Sequence, residues 1–141
     1  PGLEKMSRIQ EYAPDAIGIF GGLGGMYFLE ELQRGSRGIM TGFSWPEVLV
    51  GVYQAFRSGD TDAAATLFDP YVPLIRYEFQ PKIGLAYRKH VYRERGIIDT
   101  NFIRAPGMQI GDYTRRELTA VIERVGFSLA RTGVQPLVAT S

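Results

Sequence analysis

The sequence predicts an α/β fold: one parallel strand–helix–strand unit near the start, then helices out to about residue 127. Three observations lead there. Ala16-Ile17-Gly18-Ile19-Phe20 is an unbroken apolar run between Pro14-Asp15 and a glycine cluster, Gly21-Gly22-Leu23-Gly24-Gly25. An apolar run without alternation is the pattern of a strand covered on both faces, as in parallel sheets. A helical stretch, Met26 to Gln33, and a second short strand, Arg37-Gly38-Ile39-Met40-Thr41, follow in the order of a right-handed βαβ unit. From Ser44 onward apolar residues recur at three- and four-residue spacing, and no further strand pattern follows.

Two strands make a poor sheet. A complete parallel sheet usually has about five or six, and two leave both edges unpaired. The layout therefore predicts the C-terminal part of a larger α/β protein followed by a helical appendage. The opening Pro1-Gly2-Leu3-Glu4, with no initiator Met, agrees with that expectation.

The elements can be justified in order. Leu3, Met6, Ile9 and Ala13 form one face of a short amphipathic helix that Pro14 closes. Met26, Leu29 and Leu32 line the next, with Gly35 as its stop. Ser44-Trp45-Pro46-Glu47 has the spacing of a capping box, and Val48, Leu49, Val52 and Phe56 form the stripe behind it, ended by Gly59. Asp60 or Thr61 caps a helix carrying Ala64, Leu67, Phe68, Tyr71 and Ile75, which Pro70 and Pro73 should kink or split. Pro81 opens a helix with Ile83, Ala86, Tyr87 and Val91 on one side, ended by Gly96. After a loop from Ile97 to Asp112, Thr114-Arg115-Arg116-Glu117 is a second capping box leading into Leu118, Val121, Ile122 and Val125. The tail from Gly133 to Ser141 has no periodicity.

Composition excludes several functions. The 141 residues carry 16 Lys plus Arg against 15 Asp plus Glu, a net charge of +1. That balance gives no electrostatic case for a nucleic-acid or anionic-membrane partner. With no Cys there is no disulfide, thiolate nucleophile or cysteine metal site. One His and no carboxylate pair at ligand spacing argue against a metal site. No apolar run reaches the ~18–20 residues of a membrane span, so a cytoplasmic protein is expected.

Two places could carry chemistry. The glycine cluster lies at the carboxyl end of a parallel strand, ahead of a helix N-terminus, where backbone can approach a carboxylate or phosphate. It reads equally as a tight turn needing positive φ. A dinucleotide fingerprint fails, because Gly22-Leu23-Gly24 is followed by Tyr27 where a third glycine belongs. The second place is Thr41-Gly42-Phe43-Ser44, where Thr41 could donate to a ligand oxygen while Ser44 caps a helix. His90 reads as a surface or half-buried helical residue, and Glu30-Glu31 and Arg93-Glu94-Arg95 as solvated helix faces. Lys5, Lys82 and Lys89 fall at surface positions of helical segments, unlike a buried Schiff-base lysine. Tyr71, Tyr77, Phe79, Tyr87 and Tyr92 recur at helical spacing, as packing residues do.

These segments together resemble a known family. Ile17-Gly18-Ile19-Phe20-Gly21-Gly22 and Gly35-Ser36-Arg37-Gly38-Ile39-Met40-Thr41-Gly42 are similar to the last two barrel strands of the dihydrodipicolinate synthase / N-acetylneuraminate lyase family. Arg57-Ser58-Gly59-Asp60 with Ala63, Ala64 and Leu67, then Pro73-Leu74, Glu78, and Pro81-Lys82-Ile83-Gly84-Leu85-Ala86 resemble its next segments. Arg95-Gly96-Ile97-Ile98 and Arg104-Ala105-Pro106-Gly107 resemble its closing signals, so the likeness covers about residues 1 to 127.

The resemblance implies a (β/α)8 TIM barrel with three C-terminal helices, usually a homotetramer. Its members are class I lyases: a lysine on the sixth strand forms a Schiff base with pyruvate or another 2-oxo acid, an upstream tyrosine shuttles protons, and no cofactor is needed. Residues 1–58 would be the end of the barrel, with strand seven at 16–20 and strand eight at 38–41, and residues 59–141 a helical extension. The lysine, the tyrosine and five further strands would then lie upstream, and the missing N-terminal part of the barrel would be a necessary partner. No catalytic residue is expected in this chain. Gly21, Gly22, Gly24, Gly25, Thr41 and Gly42 sit where the family meets its substrate. Acidic residues common in that loop are replaced here by Leu23-Gly24-Gly25. That departure points away from both sialic acid and the standard dihydrodipicolinate reaction, and the combination of Phe20-Gly21-Gly22-Leu23-Gly24-Gly25 with Met40-Thr41-Gly42-Phe43 and Arg88-Lys89-His90 resembles the branch acting on 2-keto-3-deoxy sugar acids. The implied function is a dehydratase or aldolase of that branch; a dihydrodipicolinate synthase, or a non-catalytic interaction module descended from the family, is the alternative.

Overall fold

A computed structural model describes residues 2–13, 17–127 and 129. Seven α-helices occur among them: α1 (Gly2–Tyr12), α2 (Phe28–Gln33), α3 (Pro46–Arg57), α4 (Thr61–Phe68), α5 (Val72–Glu78), α6 (Gly84–Glu94) and α7 (Asp112–Arg124). The chain divides into two compact units. One holds the residues up to Thr41 together with Trp45–Asp69, and the other holds Gly42–Ser44 together with the chain from Pro70 onward.

In the first unit the two expected strands are reduced to extended segments. Ala16 lies outside the described residues, and among those described Gly21 and Ile39 form a single parallel bridge. Its hydrogen bonds follow the parallel pattern: Arg37 N–H to Ile19 O at 2.8 Å, Gly21 N–H to Gly38 O at 2.9 Å, and Met40 N–H to Gly21 O at 3.1 Å. The direction is parallel, as expected, but the bridge falls at Gly21, one residue past the expected strand 16–20, and no strand forms among the described residues. Two strands without outer neighbours gain few ladder bonds, and glycines at 18, 21 and 38 weaken strand order further. The Ser36 hydroxyl donates to Gly38 O at 2.6 Å and closes the bend into the second segment.

Between these segments α2 starts at Phe28, two residues later than its periodicity predicts, because Leu23–Gly25 forms a 3-10 turn first. Gly35, at φ +83°, ends the helix as expected. Helix α3 packs on α4, and Val48, Leu49, Val52, Ala64 and Phe68 are buried. Ser44 is not the cap of α3. Trp45 holds that position, and no side-chain hydrogen bond caps the helix there. Asp60 does cap α4, accepting the Ala63 N–H at 2.9 Å. The break foreseen at Pro70 and Pro73 separates α4 from α5 through a 3-10 turn, Asp69–Tyr71.

In the second unit α5 packs on α6 and α7. Leu74, Ile75, Ala86, Tyr87, Val91, Leu118 and Ile122 are buried there. Helix α6 starts at Gly84 rather than Pro81, which instead opens a turn with Lys82 at φ +69°. Helix α7 begins at Asp112 after an extended Gly111, so Thr114 lies inside the helix and the second capping box does not form. The aromatics pack: Tyr77 against Tyr87 with ring centroids 5.1 Å apart, and Tyr71 against Phe127 at 4.8 Å. The tail from residue 133 lies outside the described residues.

Candidate functional site

The glycine loop of the first unit separates, residue by residue, into fold and opportunity. Gly24 at φ +71° and Gly25 at φ +95° adopt the left-handed conformation that glycine takes without strain. A Cβ on Gly25 would also press to 3.3 Å from Leu49. Gly21 is required for another reason: a Cβ there would stand 1.8 Å from Oε2 of Glu31. Gly22 has nothing within 4 Å of a Cβ position. At that residue the backbone borders open space.

Beneath the loop lies Glu31. It is only 5% exposed, whereas its neighbour Glu30 is exposed, so the reading of both as a solvated face is correct for Glu30 and wrong for Glu31. Its Oε1 accepts the Gly22 N–H at 3.3 Å, and its Oε2 has no partner among the described residues. Burial pushes the carboxyl above the ordinary carboxylate range, the Gly22 N–H opposes that rise, and the charge of Glu30 adds to it. The signal was legible: Phe28, Glu31 and Leu32 share a helical face, so the carboxylate sits inside an apolar stripe.

Thr41 joins this group. Its hydroxyl, foreseen as a donor to a ligand, donates to Gly24 O at 2.7 Å and braces the loop. Gly21, Gly22, Gly24, Gly25 and Thr41 therefore gather in the first unit, and Gly42 belongs to the second.

Around Gly42 the second unit holds another buried carboxylate. Glu78 is 2% exposed and its Oε2 accepts the Ser44 N–H at 3.0 Å. Burial raises its pKa to about 7 against the opposing pull of the Ser44 hydroxyl and N–H and the charges of Arg88 and Arg95. Leu74 and Ile75, four and three residues earlier, place it too within an apolar stripe. His90 is more deeply buried than its reading as a surface or half-buried residue allowed, and burial lowers its pKa.

Other features carry less. Lys5 and Lys82 are exposed, and Lys89 donates to Phe102 O. A polar cavity of about 550 Å³ in the second unit is lined by Arg93, Arg115, Gln109 and Asn101 among others. Both guanidinium groups there are engaged, Arg93 by Glu94 and Arg115 by Asp112. Among the described residues no group of three His, Asp or Glu could hold a metal, and no helix is long and apolar enough to cross a membrane.

No family model matches the chain. Similarity to individual proteins is extensive. An L-2-keto-3-deoxyarabonate dehydratase of Azospirillum brasilense is 30% identical over 122 residues, 86% of this chain and 39% of that protein. The crystal structure of a dihydrodipicolinate synthase from Rhodopseudomonas palustris superposes with a TM-score of 0.82 at 38% identity, over 88% of this chain and 42% of the other. The chain is thus similar to proteins of the dihydrodipicolinate synthase family. It spans about two fifths of the length of these relatives. A 4-hydroxy-tetrahydrodipicolinate synthase from Methylacidiphilum fumariolicum SolV shares the fold at a TM-score of 0.74 and 20% identity. The synthases and the dehydratase among these relatives belong to an enzyme family.

Proposed function

We propose that this chain forms the end of the barrel and the helical extension of a Schiff-base lyase acting on a 2-keto-3-deoxy sugar acid, as a dehydratase or aldolase. The observation that supports this most is the 30% identity over 122 residues with a dehydratase of that substrate class. In this reading residues 1–58 close the barrel and residues 59–141 are the extension. Gly21, Gly22, Gly24, Gly25, Thr41 and Gly42 form part of the pocket wall. The nucleophilic lysine, the proton-shuttling tyrosine and the other strands are supplied from upstream, and the whole assembles as a homotetramer.

The chemistry fits such a wall. A protonated imine withdraws electrons from the adjacent carbon, so proton loss or carbon–carbon cleavage becomes accessible near neutral pH. A lysine must be desolvated or near other cations to be neutral enough to attack. The open backbone at Gly22 allows a close approach of substrate, while Thr41 holds the loop through Gly24.

A second reading, a dihydrodipicolinate synthase condensing pyruvate with aspartate semialdehyde, draws on the 38% identity to the Rhodopseudomonas palustris enzyme. Borohydride trapping with pyruvate, read by intact mass, tests the step common to both. An adduct is expected on a form extended upstream and not on the 141 residues alone. An adduct on the shorter chain would place the imine on Lys5, Lys82 or Lys89 and overturn the strand assignment. No adduct on either would overturn the mechanism and favour an interaction module. Turnover of a 2-keto-3-deoxy acid against condensation with aspartate semialdehyde then separates the two lyases.

A further inference from the structure

Helices α5 and α6 converge on three consecutive residues, Gly42, Phe43 and Ser44, and hold their backbone from several sides. The Ser44 N–H donates to Glu78 Oε2 at 3.0 Å. The Tyr92 hydroxyl lies 3.3 Å from Gly42 O and 3.1 Å from Phe43 O, within donating distance of both. Arg95 donates to Ser44 O. Arg88 lies over Gly42, where a Cβ would stand 2.3 Å from its Nη1, and its Nε donates to Gly84 O at 2.9 Å.

The sequence builds this arrangement economically. Arg88, Tyr92 and Arg95 are spaced by four and three residues, so one face of α6 and its C-terminus presents all three. That face reaches the segment only if α6 starts close against the end of α5. Gly84 permits this: a Cβ there would stand 2.3 Å from the carbonyl oxygen of Glu78. Apolar side chains could have packed the segment at less cost, since Glu78 is buried with its Oε1 unpartnered among the described residues. What the polar groups add is direction, because each fixes a particular N–H or C=O.

We propose that α5 and α6 form a clamp that sets the backbone of Gly42–Ser44 for binding of the 2-oxo acid, with Glu78 and Tyr92 as its positioning residues. The inference rests on the functional reading above and gives the helical extension a task within it.

Two measurements test it. In the 141-residue chain, amide exchange at Ser44 should quicken about tenfold or more in Glu78→Ala and stay near wild type in Glu78→Gln, which keeps an acceptor oxygen. Unchanged exchange in Glu78→Ala overturns the clamp. In the upstream-extended protein, the pyruvate concentration for half-maximal borohydride trapping should rise about tenfold in Tyr92→Phe and in Glu78→Ala. The maximal extent of trapping should hold, and Glu78→Gln should restore the half-saturation value. Tyr92→Phe removes one oxygen atom and carries the test if Glu78→Ala does not fold. Wild-type trapping with unchanged half-saturation in the variants overturns this proposal alone. No trapping in the wild-type extended protein overturns the functional reading and the proposal together.

Discussion

The carboxyl of Glu31 occupies the space in which a side chain at residue 21 would stand, with Oε2 1.8 Å from that Cβ position and Oε1 accepting the next N–H, that of Gly22. A glycine and a buried acid ten residues apart thus form one structural unit. The Glu31 carboxyl ends a flexible side chain, but moving it would cost the Gly22 bond inside a buried site. Gly21→Ala should therefore destabilise by about 1–3 kcal/mol in the natural background. In a Glu31→Ala background the same change should cost less than about 1 kcal/mol, since the obstructing carboxyl is gone. Urea unfolding of the four proteins closes the cycle, and equal costs in both backgrounds would refute the coupling.

Glu78 should give stability a pH dependence opposite to that of an ordinary paired carboxylate. Its folded pKa of about 7 lies above the 4.5 of an ordinary glutamate, so the folded state holds the proton longer than the unfolded state. The resulting stability is fully present below about pH 4.5 and is lost as pH rises through about 7. The groups facing it are the Ser44 hydroxyl and N–H, which lower its pKa along with Arg88 and Arg95. The full span of the effect is on the order of 3 kcal/mol. Subtracting the Glu78→Gln stability curve from wild type isolates the contribution. A difference that grows in the wild type's favour with rising pH would contradict it.

Asp60 is an exposed cap whose Oδ1 takes the Ala63 N–H at 2.9 Å. Asp60→Ala should cost about 1 kcal/mol, and Asp60→Asn or Asp60→Ser much less. Thermal or urea unfolding reads the difference. An Ala variant as stable as wild type would show that the helix start is held by packing.

Ile17, Phe20 and Met40 stand 54%, 60% and 77% exposed on the two paired extended segments. Apolar side chains beside short, unpartnered backbone edges favour association. The 141-residue chain is expected to dimerise or aggregate, and Phe20→Lys with Met40→Lys should reduce this in light scattering. A monomer with a sharp thermal transition would refute the expectation.

The helix order, the proline break at residues 70 to 73, a cap at Asp60 or Thr61 and the parallel direction of the two extended segments were legible in the sequence, whereas the expected strands were not formed. They rest on local chemistry: apolar spacing, a missing N–H, a short acceptor side chain, a glycine at the end of a run. The family was legible as well, because many weak signals in one order are jointly specific. The capping boxes at Ser44 and Thr114 misled for the converse reason. A short motif shows what a local bond could be, while the path of the chain around it decides whether the bond forms.

Tertiary structure alone decided what the buried polar groups hold. Glu30 and Glu31 are identical in composition, yet one is solvated and the other sits under the glycine loop. Glu78, Tyr92 and Arg95 meet the backbone of residues 42 to 44 across 34 to 51 positions of sequence. Such contacts depend on how helices pack, and spacing along the chain carries no record of that. The glycines divide in the same way: the sequence shows four in a loop, and only the fold distinguishes left-handed Gly24 and Gly25 from Gly21, whose neighbour is a carboxyl, and from Gly22, which borders open space.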